Sequence, residues 1–199
     1  MTICYNQVTI KKEGDKMQWI IPGTVLTGEQ GAPVRPQFEA MFLPGNMLLG
    51  QVCGVSGLEP YTVQNWIKRG FLPAPRNKRY TMEQLCRILT IRMLKSALPM
   101  ERICGLLSYV NGRLDDESDD TVDDAALYFM FLRLAAEAKA DMTPEEREKL
   151  LLSVTADYAE PVEGAAGRVR QVLSVMLEAW MASRHQEQAE AMLAELQIL

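Results

Sequence analysis

Two planar amides, Gln64 and Asn65, follow Thr62 and precede Lys68 and Arg69. Seven residues further on, Arg76, Lys78 and Arg79 crowd ahead of Tyr80. An amide side chain carries a donor and an acceptor side by side. That pairing matches an adenine edge in a major groove and is worth about 1–3 kcal/mol of discrimination per good bidentate contact. Lys68, Arg69, Arg76, Lys78 and Arg79 are read as neutralising phosphates rather than reading bases. Tyr80 has two readings: a hydroxyl donor to phosphate, or a ring packed on Phe71 at the base of a hairpin. Residues that do other chemistry are missing. The chain has no Gly-rich phosphate loop, no serine elbow and no cysteine–histidine or histidine–carboxylate grouping, so no enzyme is expected.

The elements that position these residues can be read from breakers and caps. Asn46 follows a Pro-Gly pair, and a short helix is expected over 47–53, with Gly54 and Gly57 bracketing a turn. The next helix opens near Glu59-Pro60, where proline is pre-set for helical φ, and ends at Gly70. Val63 and Ile67 should face inward and Trp66 should join the core. Phe71-Leu72-Pro73-Ala74-Pro75 cannot be helical, and 76–80 supplies a tight basic tip. Thr81 and Gln84 form a capping box for a helix with Leu85, Ile88 and Leu89 on its buried stripe. Pro99 opens another helix, with Met100, Ile103, Leu106, Leu107 and Val110 on one face. Between 51 and 107 the order is helix, sharp turn, helix, basic hairpin, helix, helix, which describes a small winged helix-turn-helix.

Charge follows the same boundaries. Residues 1–45 hold four Lys and Arg against four Asp and Glu. Residues 46–113 hold ten against three, and 114–199 hold seven against 19. The net charge of −5 therefore hides a basic segment, the electrostatic footprint that nucleic-acid binding requires.

The remaining segments frame that module. Residues 1–45 read as an N-terminal arm, with a hairpin about Glu13-Gly14-Asp15-Lys16 and then an extended stretch rich in Gly and Pro. Asp115-Asp116-Glu117-Ser118-Asp119-Asp120 is a solvated linker (114–121) and lacks the register of a calcium loop. Residues 122–199 read as a helical domain for oligomerisation or regulation. Thr121 with Asp124 should cap a helix over about 122–140 that has no polar face and is buried on most sides. Thr143-Pro144-Glu145-Glu146 starts another helix. In the last helix Val169, Leu173, Met176 and Trp180, continued by Met192, Leu193 and Leu196, form a stripe that serves either the core or a dimer seam. The aromatic and methionine side chains of 128–131, Met176 and Trp180 read first as an ordinary core, with a ligand pocket as the alternative.

Bulk properties agree with a soluble globular chain. The apolar run 125–132 is far short of a bilayer span, and no secretion signal is visible, so a cytoplasmic protein without membrane contact is expected. The cysteines at 4, 53, 86 and 104 are too dispersed for a zinc site and read as small hydrophobes, and His185 reads as a surface residue. No cofactor or metal is expected, and no residue set specifies a small-molecule effector.

The stretch 51–107 resembles the DNA-binding domain of the MerR family of bacterial transcription regulators. The resemblance rests on Gly54-Val55-Ser56, Thr62-Val63, Trp66, Lys68-Arg69-Gly70 and Phe71-Leu72-Pro73. It continues through Arg79, Tyr80, Glu83 and Leu85 and then Glu101, Arg102 and Ile103. The acidic run followed by Thr121-Val122-Asp123-Asp124 also looks like an uncharacterised bacterial family that carries such a domain. The family's recognition-helix Arg and first Tyr correspond here to Gln64 and Asn65, the wing is shorter, and an acidic loop replaces the long helix that usually comes next. The resemblance implies a mainly α chain: a MerR-like winged helix-turn-helix with a short β wing, then an all-helical C-terminal domain. It further implies double-stranded DNA as ligand and a homodimer, here through the C-terminal helices, acting in transcription regulation. The alternative is a protein–protein interaction module on a winged-helix scaffold that has lost DNA binding.

Overall fold

A computed structural model describes residues 18–112, 121–139 and 141–196. The turn at 13–16 with its first strand, Cys4 and the acidic run at 115–120 lie outside the described residues. The chain is mainly α-helical. In order the elements are β1 (Gln18–Ile20), β2 (Thr27–Glu29), α1 (Arg35–Phe42), β3 (Met47–Leu48), α2 (Leu49–Ser56), α3 (Pro60–Lys68), β4 (Arg79–Tyr80), α4 (Met82–Leu94), α5 (Met100–Asn111), α6 (Asp124–Glu137), α7 (Pro144–Val154) and α8 (Ala165–Glu195).

The segment read as an extended arm is instead built into the fold. β1 pairs antiparallel with β2, Trp19 opposite Gly28, so the described strand finds its partner downstream. The turn between them is held by Thr24, whose hydroxyl donates to the Ile21 carbonyl at 2.9 Å, and it docks on α2 through Val25 N to Val55 O at 3.0 Å. Gly23, at φ +79°, presses on α4 so closely that a Cβ would lie 2.4 Å from the Leu89 carbonyl. Downstream, proline in the first turn nucleates α1, whose Phe38 is fully buried against Tyr128 and Phe129 at ring separations of 5.9 and 5.5 Å. Most of the Gly and Pro residues mark the ends of these elements, and Gly28 lies within β2.

α4 is the central post. Nine of its 13 residues are buried, a full circumference rather than the single stripe its sequence suggests, because α2, α5, α6 and α8 all pack on it. Its capping box forms as read: Gln84 N donates to Thr81 Oγ1 at 3.3 Å and Thr81 N to Gln84 Oε1 at 3.0 Å. Burial on every side brings Arg87 inside. Its guanidinium donates to the Phe71 carbonyl at 3.2 Å and to the Asp124 carboxylate at 3.2 and 3.3 Å, and Asn111 Nδ2 donates to the same carboxylate at 2.9 Å. Asp124 is thus drawn to Arg87 and does not join Thr121 in capping α6. Asp123 is the cap, accepting from Ala126 N at 2.6 Å, while Thr121 bonds back to the Val110 carbonyl at the end of α5.

One hydrophobic core runs from Trp19 to Ala179, joining the segments on both sides of the acidic run. Tyr128, Phe131 and Met176 are wholly inside it and serve as packing, whereas Phe129 and Met130 also line a cavity. Tyr128 satisfies its hydroxyl on the Pro22 carbonyl at 2.7 Å. Val169, Val172, Leu173, Met176 and Leu177 of α8 are also core, whereas 185–196 are exposed throughout. No helix among the described residues is long and apolar enough to cross a membrane.

Candidate nucleic-acid interface

α2 runs three residues past the expected stop, through Gly54 to Ser56. A helix accommodates an interior glycine, and the chain reverses at Gly57, at φ +65°, whose N–H bonds the Cys53 carbonyl at 2.7 Å. A Cβ at Gly57 would meet Val25 Cγ1 at 2.5 Å. Both the backbone conformation and the docked β1–β2 turn therefore require glycine there. Glu59 is then extended and Pro60 opens α3.

The end of α3 is equally well specified. Gly70, at φ +76°, donates to the Ile67 carbonyl at 3.0 Å, and Phe71 N donates to the Trp66 carbonyl at 2.9 Å. These are the paired bonds of a Schellman motif. Arg69 lies over the Phe71 ring at 4.6 Å and 3.5 Å from the Glu101 carboxylate. Both partners of that ion pair are at least half exposed, so it adds little to stability.

Val63 and Trp66 bury the inner face of α3, and Thr62 and Ile67 are half-buried at its margins. Gln64, Asn65 and Lys68 are exposed, as is Arg69 just beyond the helix, and no acidic segment among the described residues covers them. Sequence reasoning missed Tyr61, which is 70% exposed. Its spacing to Gln64, Asn65 and Lys68 (i, i+3, i+4, i+7) puts it on the same outer face, and that periodicity alone would have found it. Lys95, just beyond α4, approaches the Trp66 ring at 5.8 Å.

The basic tip folds as a two-residue hairpin. Asn77 and Lys78 both have positive φ, at 51° and 59°, and Arg79 N donates to the Arg76 carbonyl at 2.9 Å. That is the backbone of a type I′ turn, which suits Asn well and costs Lys about 1–2 kcal/mol. β4 pairs antiparallel with β3, Leu48 opposite Arg79 and Met47 opposite Tyr80. The Arg79 guanidinium donates to the Asn46 carbonyl at 2.9 Å, tying the tip to the approach to β3. Arg76, Lys78 and Arg79 are exposed.

Tyr80 is the exception among the candidate residues. Only 3% of it is exposed, and burial pushes its phenol pKa upward. A ring buried to this degree favours packing over a phosphate contact. Among the described residues, no group of three or more His, Cys, Asp or Glu is arranged to hold a metal ion.

Comparison with known proteins places the chain beside others without an assigned role. Residues 50–131, from α2 into α6, match a family described as a domain of unknown function, DUF1836. The chain is 24% identical over 160 residues, 74% of its own length and 69% of the relative's, to an uncharacterized protein, YkrK, of Bacillus subtilis (strain 168). No solved structure matches it.

Proposed function

We propose that this chain is a DNA-binding transcription regulator with a MerR-like winged helix-turn-helix, acting as a dimer. α2 and α3 are the helix pair, α3 is the groove-reading helix, and the 76–80 hairpin, whose β4 pairs with β3, is the wing. The carrying observation is the open outer face of α3, where two amides and two cations stand free of the acidic half of the molecule, next in sequence to an exposed basic hairpin. Gln64 and Asn65 read base edges. Lys68, Arg69, Arg76, Lys78 and Arg79 hold the phosphates, Thr62 supports from the margin, and Tyr61 adds a further contact to the same face.

The dimer reading rests on α8. Beyond Glu187 its residues are exposed throughout, and Met192 and Leu193, with Leu196 just past its end, are 59, 53 and 65% exposed. An unsupported helical stretch of that length is marginal in water, which favours a second copy packing there. The matched family and relative carry no assigned activity and leave this reading open.

The test is binding to random-sequence duplex at low salt, followed by genome-wide recovery of bound fragments. Salt-sensitive binding to any duplex, with a Gln64→Ala, Asn65→Ala variant that shifts the recovered motif, is the expected result. No duplex binding above background would overturn it and favour a scaffold that grips a protein through Tyr61 and the exposed Leu48.

A further inference from the structure

On the side of α4 facing α8 lies a cleft of about 610 Å³, bounded by the β1–β2 turn, the α2–α3 turn, the end of α4 and the middle of α8. That volume is within the range of about 300–1,000 Å³ typical of small-molecule sites. Three cations line it, Arg92, Lys95 and Arg184, against a single carboxylate, Glu187. Arg92 donates to the Thr24 carbonyl at 3.0 Å, and Arg184 donates to Glu187 at 3.3 Å. Burial disfavours the charge on both guanidinium groups, and the nearby Glu187 only partly offsets this. A guanidinium does not give up its proton in a protein, so the cleft holds uncompensated positive charge.

Two indoles stand among its other walls. Trp19 is 7% exposed, and its indole N–H is buried with no acceptor among the described residues. Trp180 is half-buried, braced edge-on by Phe131 at 6.0 Å. Beside it, the Ser96 and Ser183 hydroxyls meet at 2.6 Å and join α4 to α8. Excess cations beside two indoles recognise a ring that carries a negative group.

We propose that this cleft binds a small aromatic anion, its ring against the tryptophans and its carboxylate or phosphate on Arg92 and Arg184. Arg92 Nη2 also lies 3.5 Å from the position a Cβ would take on Gly57, so a ligand that draws Arg92 acts on the turn leading into α3. This second step rests on the DNA-binding reading. The binding step does not, and a titration run without DNA separates the two.

The test follows tryptophan fluorescence of the full chain as phenyl phosphate, benzoate, inorganic phosphate and benzyl alcohol are added in turn. The expected result is a saturable change with phenyl phosphate or benzoate, none with the alcohol, and a weaker one with phosphate; the first two probes distinguish a phosphate from a carboxylate ligand. Arg184→Gln should weaken binding at least about tenfold, equivalent to 1.4 kcal/mol. Arg92→Gln carries the comparison if circular dichroism shows that Arg184→Gln is unfolded. Absence of saturation by both aromatic anions at about 10 mM, or unchanged affinity in the folded variants, overturns the proposal.

Discussion

Removing two charges from the hairpin tip, Arg76→Gln with Lys78→Asn, tests the wing without disturbing what holds it. Arg79 is left in place because its guanidinium is bonded to Asn46 and its backbone pairs with Leu48. Asn at position 78 suits the φ of 59° better than Lys does, so the variant should melt no lower than the wild type. If both cations neutralise phosphates, each accounts for about 0.9 of the slope of log affinity against log salt. Their loss then flattens the slope by about 1.8 and weakens binding about 60-fold at 0.1 M salt, with the two curves converging towards 1 M. Fluorescence anisotropy with a labelled random duplex at four or five salt concentrations measures both quantities. A variant that binds as tightly as wild type at every concentration would show that the tip does not touch the duplex. A uniform loss with unchanged slope would point to altered geometry instead.

Three further outcomes check the packing. Arg87→Met leaves Asp124 facing a thioether, and breaking a buried pair from one side should cost about 3–5 kcal/mol in urea unfolding. Adding Asp124→Leu should recover most of that, and a single-variant loss below about 1 kcal/mol would mean the pair is not buried as described. Cys86 is fully buried and its thiol pKa is pushed well above the ordinary value, so the reactive thiolate is disfavoured; at about pH 8 it should resist iodoacetamide in the native protein and label in urea, as peptide mapping would show. Gly23→Ala must place a Cβ against the Leu89 carbonyl at an unfavourable φ, so a loss of about 3 kcal/mol or more is expected, and a near-neutral result would remove the turn from its place on α4.

What the sequence made legible was local. The Thr81 and Thr143 capping boxes, the Pro60 start and Gly70 stop of α3, and the 76–80 hairpin are each written in four or five neighbouring residues, and the structure carries all of them. Three features set by distant partners were not legible. α1 and the β1–β2 pair sit in a Gly- and Pro-rich stretch whose order comes from contact with α2, α4 and α6. Asp124 read as a cap because Thr121 precedes it at capping-box spacing; only the arrival of Arg87 from 37 residues away reassigns it. The stripe of α8 continues past the core, because periodicity records which residues share a face and not where the neighbouring helices end. At the candidate interface the exposed amides and cations of α3 and the tip were nameable in advance. Tyr61 was overlooked although its spacing was available, and Tyr80 could not be assigned before its burial was known.

The fully wrapped α4 makes the basic segment inseparable from the helices C-terminal to it. Excised at 113, that segment would strand Arg87 without its counter-ion and bare to water the side of the post that α6 and α8 cover. The polypeptide should therefore melt in a single transition, and disturbance at the middle of α8, around Trp180 to Arg184, should be felt under the α2–α3 turn.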